Sequence, residues 1–191
     1  MRKLIRKLSD MRGISGFEYR LTDQIADMFK KYCDDVKIDS LGSVIAVKRS
    51  NKPNAPKLMI EAHCDEIGLI VTSITDEGYL TFANVGGVDE RTLPSTEVTV
   101  HGKEDLWGVI GIKPNYLLEQ GKTAKLKELA VDTGLSADKV KELAAVGDSI
   151  TLAQSVGRLG KKQFSGKSLD DRASVSAIMR VMKNIKDLDI D

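Results

Sequence analysis

From Phe17 to Tyr32 the apolar residues Phe17, Leu21, Ile25, Met28, Phe29 and Tyr32 recur mostly three and four positions apart. They fall on one stripe of a helical surface, so an amphipathic helix is predicted over 17–32. Just ahead, Ser15-Gly16-Phe17-Glu18 has the form of a capping box, a hydroxyl followed three residues later by a carboxylate. The basic opening stretch, Met1 to Gly13, reads as a short amphipathic helix. Val36 and Ile38 alternate with polar neighbours, and after the Ser40-Leu41-Gly42 turn Val44 to Val47 reads as a second strand. A polar, proline-bearing loop covers Asn51 to Pro56. Beyond it, Lys57 to Ala62 reads as a buried strand that delivers His63 at its C-terminal end.

At Ile67 the periodicity changes. Short β-rich pieces follow one another at Gly68 to Thr75, Tyr79 to Ala83, Glu97 to His101 and Trp107 to Ile112, separated by Gly, Asp and Pro. This spacing predicts a small barrel or sandwich rather than βαβ units. Leu126 to Thr133 fits either a helix or a strand. Ser136 caps a predicted short helix bearing Val140, Leu143 and Ala144, and Ser149 to Ala153 returns to strand. After Gly166 a second helical stripe, Val175, Ile178, Met179, Met182 and Ile185, predicts a helix over 171–187. The expected fold class is therefore α/β: an α/β domain built from residues 1–67 and 161–191, interrupted by an all-β, small-barrel insert at 68–160.

Composition narrows the class. The 191 residues are 41% hydrophobic and 30% charged, as in a globular protein, with room for one large domain or two small ones. A formal net charge of +1 carries no clustered basic excess, which argues against a nucleic-acid partner. No apolar run approaches the roughly 20 residues that cross a bilayer. The N-terminus lacks the apolar core and small-residue cleavage site of a signal peptide, so a cytoplasmic location is expected. Two cysteines, Cys33 and Cys64, make no disulfide framework and no metal-binding Cys-x-x-Cys; two reduced, partly buried thiols are expected.

Two segments carry candidate chemistry. In Glu61-Ala62-His63-Cys64-Asp65-Glu66-Ile67-Gly68, an extended backbone puts His63 and Asp65 on one face and Cys64 and Glu66 on the other. A ligating histidine needs a nearby carboxylate to set its tautomer, but a lone His-x-Asp equally describes a hydrogen-bonded structural histidine. Ser168-Leu169-Asp170-Asp171-Arg172 places two acids before a helix, which on its own is an ordinary response to the positive end of a helix dipole. His101, the other histidine, reads as a surface turn residue. Gly86-Gly87 and Gly157 to Gly160 read as tight turns, since neither has the strand and helix placement of a phosphate loop.

Taken in order, four blocks resemble the tetrahedral, or deblocking, aminopeptidases, the metallopeptidase family 42 that includes glutamyl aminopeptidases and proteins named endoglucanases. They are Gly13 to Glu18; Ala62 to Gly68; Gly86-Gly87-Val88-Asp89 with Gly108-Val109-Ile110-Gly111 and Pro114; and Leu169-Asp170-Asp171-Arg172-Ala173. The resemblance implies that His63 is a metal-binding histidine, that Asp65 is the catalytic-site acid orienting it, and that Asp170 is the carboxylate bridging two divalent ions, zinc or cobalt. It assigns Asp171 no ligand role, and at Cys64 the family usually carries another residue, so a thiol there bears on metal uptake or oxidation. It implies a peptide substrate whose free amine sits by the metals, and a homo-oligomer assembled through the β insert. The family's Glu-Glu pair, general base and ligand, has no counterpart here, and its further Asp and last histidine are missing too. The expectation is a truncated, inactive part of an aminopeptidase. The alternatives are a non-catalytic assembly or regulatory subunit and, with little support at 5% aromatic content, an endoglucanase.

Overall fold

A computed structural model describes residues 2–112 and 124–185; Pro114 of the third sequence block lies outside the described residues. The chain forms two compact units, Met1–Glu66 with Ser155–Asp191, and Ile67–Gln154. The first unit opens with helix α1 (Arg2–Asp10) and helix α2 (Tyr19–Phe29). At eleven residues α2 is too short to persist alone; burial of Leu21, Ile25, Ala26 and Phe29 on one face is what holds it. The capping box does not form. Glu18 is the N-cap with no side-chain cap, its carboxylate accepts from the Gly16 N–H at 2.9 Å, and the Ser15 hydroxyl is engaged by Asp65.

Strands β1 (Asp35–Ile38) and β2 (Val44–Val47) pair antiparallel, Asp35 opposite Val47 and Ile38 opposite Val44. The Asp39 carboxylate closes their turn by accepting from the Leu41 and Ser43 N–H groups, each at 2.9 Å, and Gly42 takes the left-handed φ of +91° that the turn requires. The buried strand expected at Lys57 to Ala62 is not there. The segment has no strand pairing, and Leu58, Met59 and Ile60 are exposed at 60%, 83% and 48%. An apolar run becomes a buried strand only with a neighbour to pair with and a layer to cover it. Among the described residues the only parallel pairing is the single bridge between Ile14 and Glu66.

The second unit is a closed antiparallel barrel. Its strands are β3 (Gly68–Ile74), β4 (Leu80–Val85), β5 (Glu97–His101), β6 (Asp105–Ile112), β7 (Leu129–Asp132) and β8 (Ser149–Leu152), joined in the order β3-β4-β7-β6-β5-β8. Alternate residues fill the interior: Leu69 and Val71, Leu80 and Phe82, Val98 and Val100, Leu106 and Ile110, Leu129 and Val131, and Ile150. Closure leaves no strand edge unpaired. Leu126 to Thr133, ambiguous by sequence, divides into a 3₁₀ turn (Leu126–Glu128) and β7. Helix α3 (Ala137–Leu143) follows Ser136 at its N-cap and buries Val140 and Leu143. His101 is not a surface turn residue. It ends β5 with its side chain only 11% exposed, Nδ1 lying 2.9 Å from Asp105 Oδ1 and Nε2 2.9 Å from Thr151 Oγ1, so it ties β6 to β8.

Strands β9 (Gly157–Leu159) and β10 (Gln163–Ser165) form a hairpin in the first unit, and helix α4 (Leu169–Asn184) closes the chain's described part. Leu8, Leu21, Ile25, Phe29, Val175 and Met179 meet in one core, with Val36, Val44, Ala46, Ala62 and Cys64 packed against it. Each such side chain contributes roughly 1.5–3 kcal/mol when fully buried, and the residues come from both ends of the sequence, so neither end forms this core alone.

Gly102 supports a clear prediction. A Cβ there meets the Leu143 carbonyl oxygen at 2.2 Å, whereas one at Gly87 meets nothing within 4 Å. Gly102→Ala forces backbone apart and is expected to destabilise the barrel by about 1–3 kcal/mol, in the range of overpacking. Gly87→Ala should leave the urea midpoint nearly unchanged; equal midpoints for the two variants contradict the close approach of β5 to α3.

Candidate functional site

The first unit brings the three sequence-selected residues together. His63 Nδ1 lies 2.9 Å from Asp65 Oδ1, and His63 Nε2 lies 3.1 Å from Asp170 Oδ1. One imidazole is thus held between two carboxylates, one two positions on and the other 107 positions on in the sequence. Asp170 is almost fully exposed and His63 about half, while Asp65 is one-third exposed. The backbone at Asp170 and Asp171 departs from helical values, and the peptide between them is cis. Regular α4 therefore begins at Arg172, and Asp170 sits on the connection before it.

The electrostatics follow from these contacts. Burial works against charge on His63, but its hydrogen bonds with Asp65 and Asp170 overcome it and raise the imidazole above its ordinary 6.5. The Ser15 hydroxyl donates to Asp65 Oδ2 at 2.5 Å and is the main reason that the Asp65 carboxyl lies below its usual range, with His63 adding to the effect against partial burial. Cys64 points the other way, packs against the core and has its thiol pushed up by burial, so it takes no place beside His63.

Below this trio lies a cluster of buried charges that the sequence reading left out. Arg172 is completely buried, and its guanidinium donates to the carbonyls of Cys64 at 2.7 Å, Leu8 at 2.9 Å, Ser9 and Gly13 at 3.3 Å, and Met11. The buried Glu66 carboxylate receives Lys167 Nζ at 2.6 and 2.8 Å, Ser168 Oγ at 2.6 Å, and Arg172 at 3.4 Å. Desolvation lowers the Lys167 ammonium, and Glu66 pulls it back up. A signal for this cluster was present. Arg172 shares the buried face of α4 with Val175, Ser176 and Met179, at helical spacing, and a charge on an apolar stripe has to find partners.

The donor chemistry can be set against the metal ions that the sequence resemblance implies. Two donors on one tetrahedral ion, each about 2.0–2.2 Å from it, lie roughly 3.4 Å apart. The 3.1 Å between His63 Nε2 and Asp170 Oδ1 is close to that spacing, and an imidazole with a carboxylate is a donor set that several divalent ions accept. The pair fits as part of a site. Among the described residues no group of three or more His, Cys, Asp or Glu side chains is arranged to hold a metal.

Comparison with known proteins places the fold among the peptidases. The profile of the family described as M42 glutamyl aminopeptidase matches residues 42–191, and the chain belongs to that family. It is 32% identical over 197 residues to the lysyl aminopeptidase of Pyrococcus furiosus, covering 99% of this chain and 56% of that protein. An aminopeptidase from the archaeon Desulfurococcus kamchatkensis superposes with a TM-score of 0.92 at 35% identity, over 98% of this chain and 53% of that one. A TET1 peptidase of Pyrococcus horikoshii, described as assembling into a tetrahedron or a large octahedral shell, matches with a TM-score of 0.84 at 34% identity, over 96% and 56%. The chain spans about half the length of the relatives it matches.

Removing Arg172 tests the buried cluster. Arg172→Met leaves five carbonyl partners and Glu66 without their donor and is expected to cost about 3–5 kcal/mol, as for a buried ion pair stripped of one member. Arg172→Lys, with one nitrogen in place of a fork, should recover only a small part. Denaturant unfolding followed by circular dichroism reads both; a loss below 1 kcal/mol for Arg172→Met contradicts the role given to it.

Proposed function

We propose that this chain supplies the N-terminal part of a dinuclear-metal aminopeptidase, which removes residues from the amino end of peptides by attack of a metal-activated water. The observation that carries the reading is the convergence of Asp65 and Asp170 on the two nitrogens of His63, in a chain of the M42 family. In this reading His63 Nε2 and Asp170 would hold metal, and Asp65 is the orienting acid. Zinc or cobalt ions bound there would supply Lewis-acid polarisation of the scissile carbonyl and a water of lowered pKa. Asp65 accepts the Nδ1–H of His63 and so leaves Nε2 directed at the Asp170 side. Ser15 holds the second oxygen of Asp65 and keeps that carboxylate from turning away.

The same reading makes the α/β domain (1–67 and 161–191) the carrier of the site and the barrel at 68–160 an insert that mediates assembly of copies. Exposed Trp107, Ile112 and Val146 on the barrel unit, and the shells described for the horikoshii peptidase, support an assembly role. The exposed run Leu58-Met59-Ile60 supports a domain that needs further polypeptide to cover it. So does the sequence, which contains no Glu-Glu to serve as base and ligand. That absence also favours the second reading, a non-catalytic assembly or regulatory subunit.

The expected outcome is that the 191-residue chain alone, given zinc, cobalt or manganese, releases no p-nitroaniline from aminoacyl-p-nitroanilides above a metal-only blank. Loss of a general base alone typically costs 10²–10⁴ in rate. A longer reading frame that supplies the base should be active and lose that activity on His63→Ala. Inactivity of the longer frame under every metal decides for the subunit reading. Turnover by the short chain that His63→Ala abolishes shows that a base is already present in it.

A further inference from the structure

Glu66 makes none of the contacts among His63, Asp65 and Asp170, yet the segments that carry them meet at its carboxylate. Glu66 Oε1 accepts from the Gly13 N–H at 3.1 Å, and the Glu66 N–H donates to the Gly13 carbonyl at 2.9 Å. These bonds fasten Glu66 to the loop that bears Ser15, the partner of Asp65. The same carboxylate binds Lys167, Ser168 and Arg172, three residues that bracket Asp170 in sequence. Water cannot stand in for these contacts, because the Glu66 and Arg172 side chains are 3% and 0% exposed and that of Lys167 is 11% exposed. Glu66 also follows Asp65 directly and His63 by three positions, so its carboxylate and its backbone N–H together tie the His63–Asp65 segment to Gly13.

This inference rests on the reading of His63, Asp65 and Asp170 as one site. We propose that Glu66 is the positioning residue of that site, its buried carboxylate setting how far Asp65 and Asp170 stand from the two nitrogens of His63. Metal donors have to be placed to within about 0.2 Å. Asp170, exposed and on a non-helical connection, has no fixed placement of its own without an anchor beneath it. Lys167 and Ser168 on one side and Arg172 on the other provide that anchor, and Glu66 joins both to the segment that carries His63.

The chain's two histidines make the test direct, since His101 in the barrel unit serves as an internal reference for His63. Long-range proton–nitrogen correlation spectra of the imidazole rings are compared at one pH, without metal, for the unmodified chain, Glu66→Gln and Ser168→Ala. The expected result is that both variants shift the His63 ring nitrogens and leave those of His101 in place, Glu66→Gln more than Ser168→Ala. A purely structural role for Glu66 lowers the melting temperature while the folded molecules keep unchanged His63 signals, and that result overturns the proposal. If Glu66→Gln does not fold, Ser168→Ala, which leaves Glu66 and both of its cations, carries the comparison by the same criterion. Zinc chloride titrated into the unmodified chain separately tests the metal reading. His63 signals that ignore zinc sink that reading, while the metal-free spectra alone decide the positioning role.

Discussion

Taking a carboxylate and two cations out of water is costly unless each finds partners, and the first unit is arranged around meeting that demand. Arg172 has five N–H donors in a fixed fork, and it spends them on carbonyls at the end of α1, on the loop after it, and on Cys64 beside His63. The last carbonyls of a helix lack intrahelical partners, so Arg172 completes the C-terminal end of α1 while α1 supplies the acceptors that make a buried guanidinium tolerable. Glu66 then neutralises one of the two positive charges and collects Lys167 and Ser168. The placement of α1, of the loop after it, of the His63 segment and of the start of α4 all depend on this one set of contacts. The apolar core of Leu8, Leu21, Ile25, Phe29, Val175 and Met179 supplies most of the non-directional attraction, but hydrophobic contact alone does not specify where Asp170 stops.

The two units settle their backbone hydrogen bonds differently. In the barrel every strand has two neighbours, and alternation of inward and outward side chains makes a one-residue slip expensive, because it turns the whole inner set toward solvent. In the first unit the pairings are local hairpins, β1 with β2 and β9 with β10. The segment at 57–62 has no such partner, and Leu58, Met59 and Ile60 stay in solvent.

Features set by neighbouring residues were legible in the sequence. The helical stripes gave α2 and α4, the turn at Ser40-Leu41-Gly42 gave β1 and β2, and the short β-rich pieces gave a small barrel or sandwich. The trio His63, Asp65 and Asp170 was visible because a family resemblance tied two segments that each had a plainer local explanation. What depended on distant partners was not legible. Ser15 and Glu18 look like a capping box until Asp65, fifty positions on, takes the hydroxyl. His101 looks like a turn residue until β8 supplies Thr151. Lys57 to Ala62 has the composition of an interior strand, and composition does not reveal whether a neighbour is there to pair with it. Glu66 and Arg172 stand next to the chosen residues in sequence, but burial of their charges emerges only when both ends of the chain pack together.

The closure of the barrel has one more consequence. Its first strand, β3, pairs antiparallel with its last, β8, with Leu69 opposite Ile150. The chain therefore enters and leaves this unit at the same end, side by side. A module whose two ends meet can sit inside a surface loop of a host without prying the host apart, and can be swapped, lengthened or lost while the host's own backbone path stays nearly the same. Pairing of first strand to last thus gives the barrel the geometry that such an insertion requires.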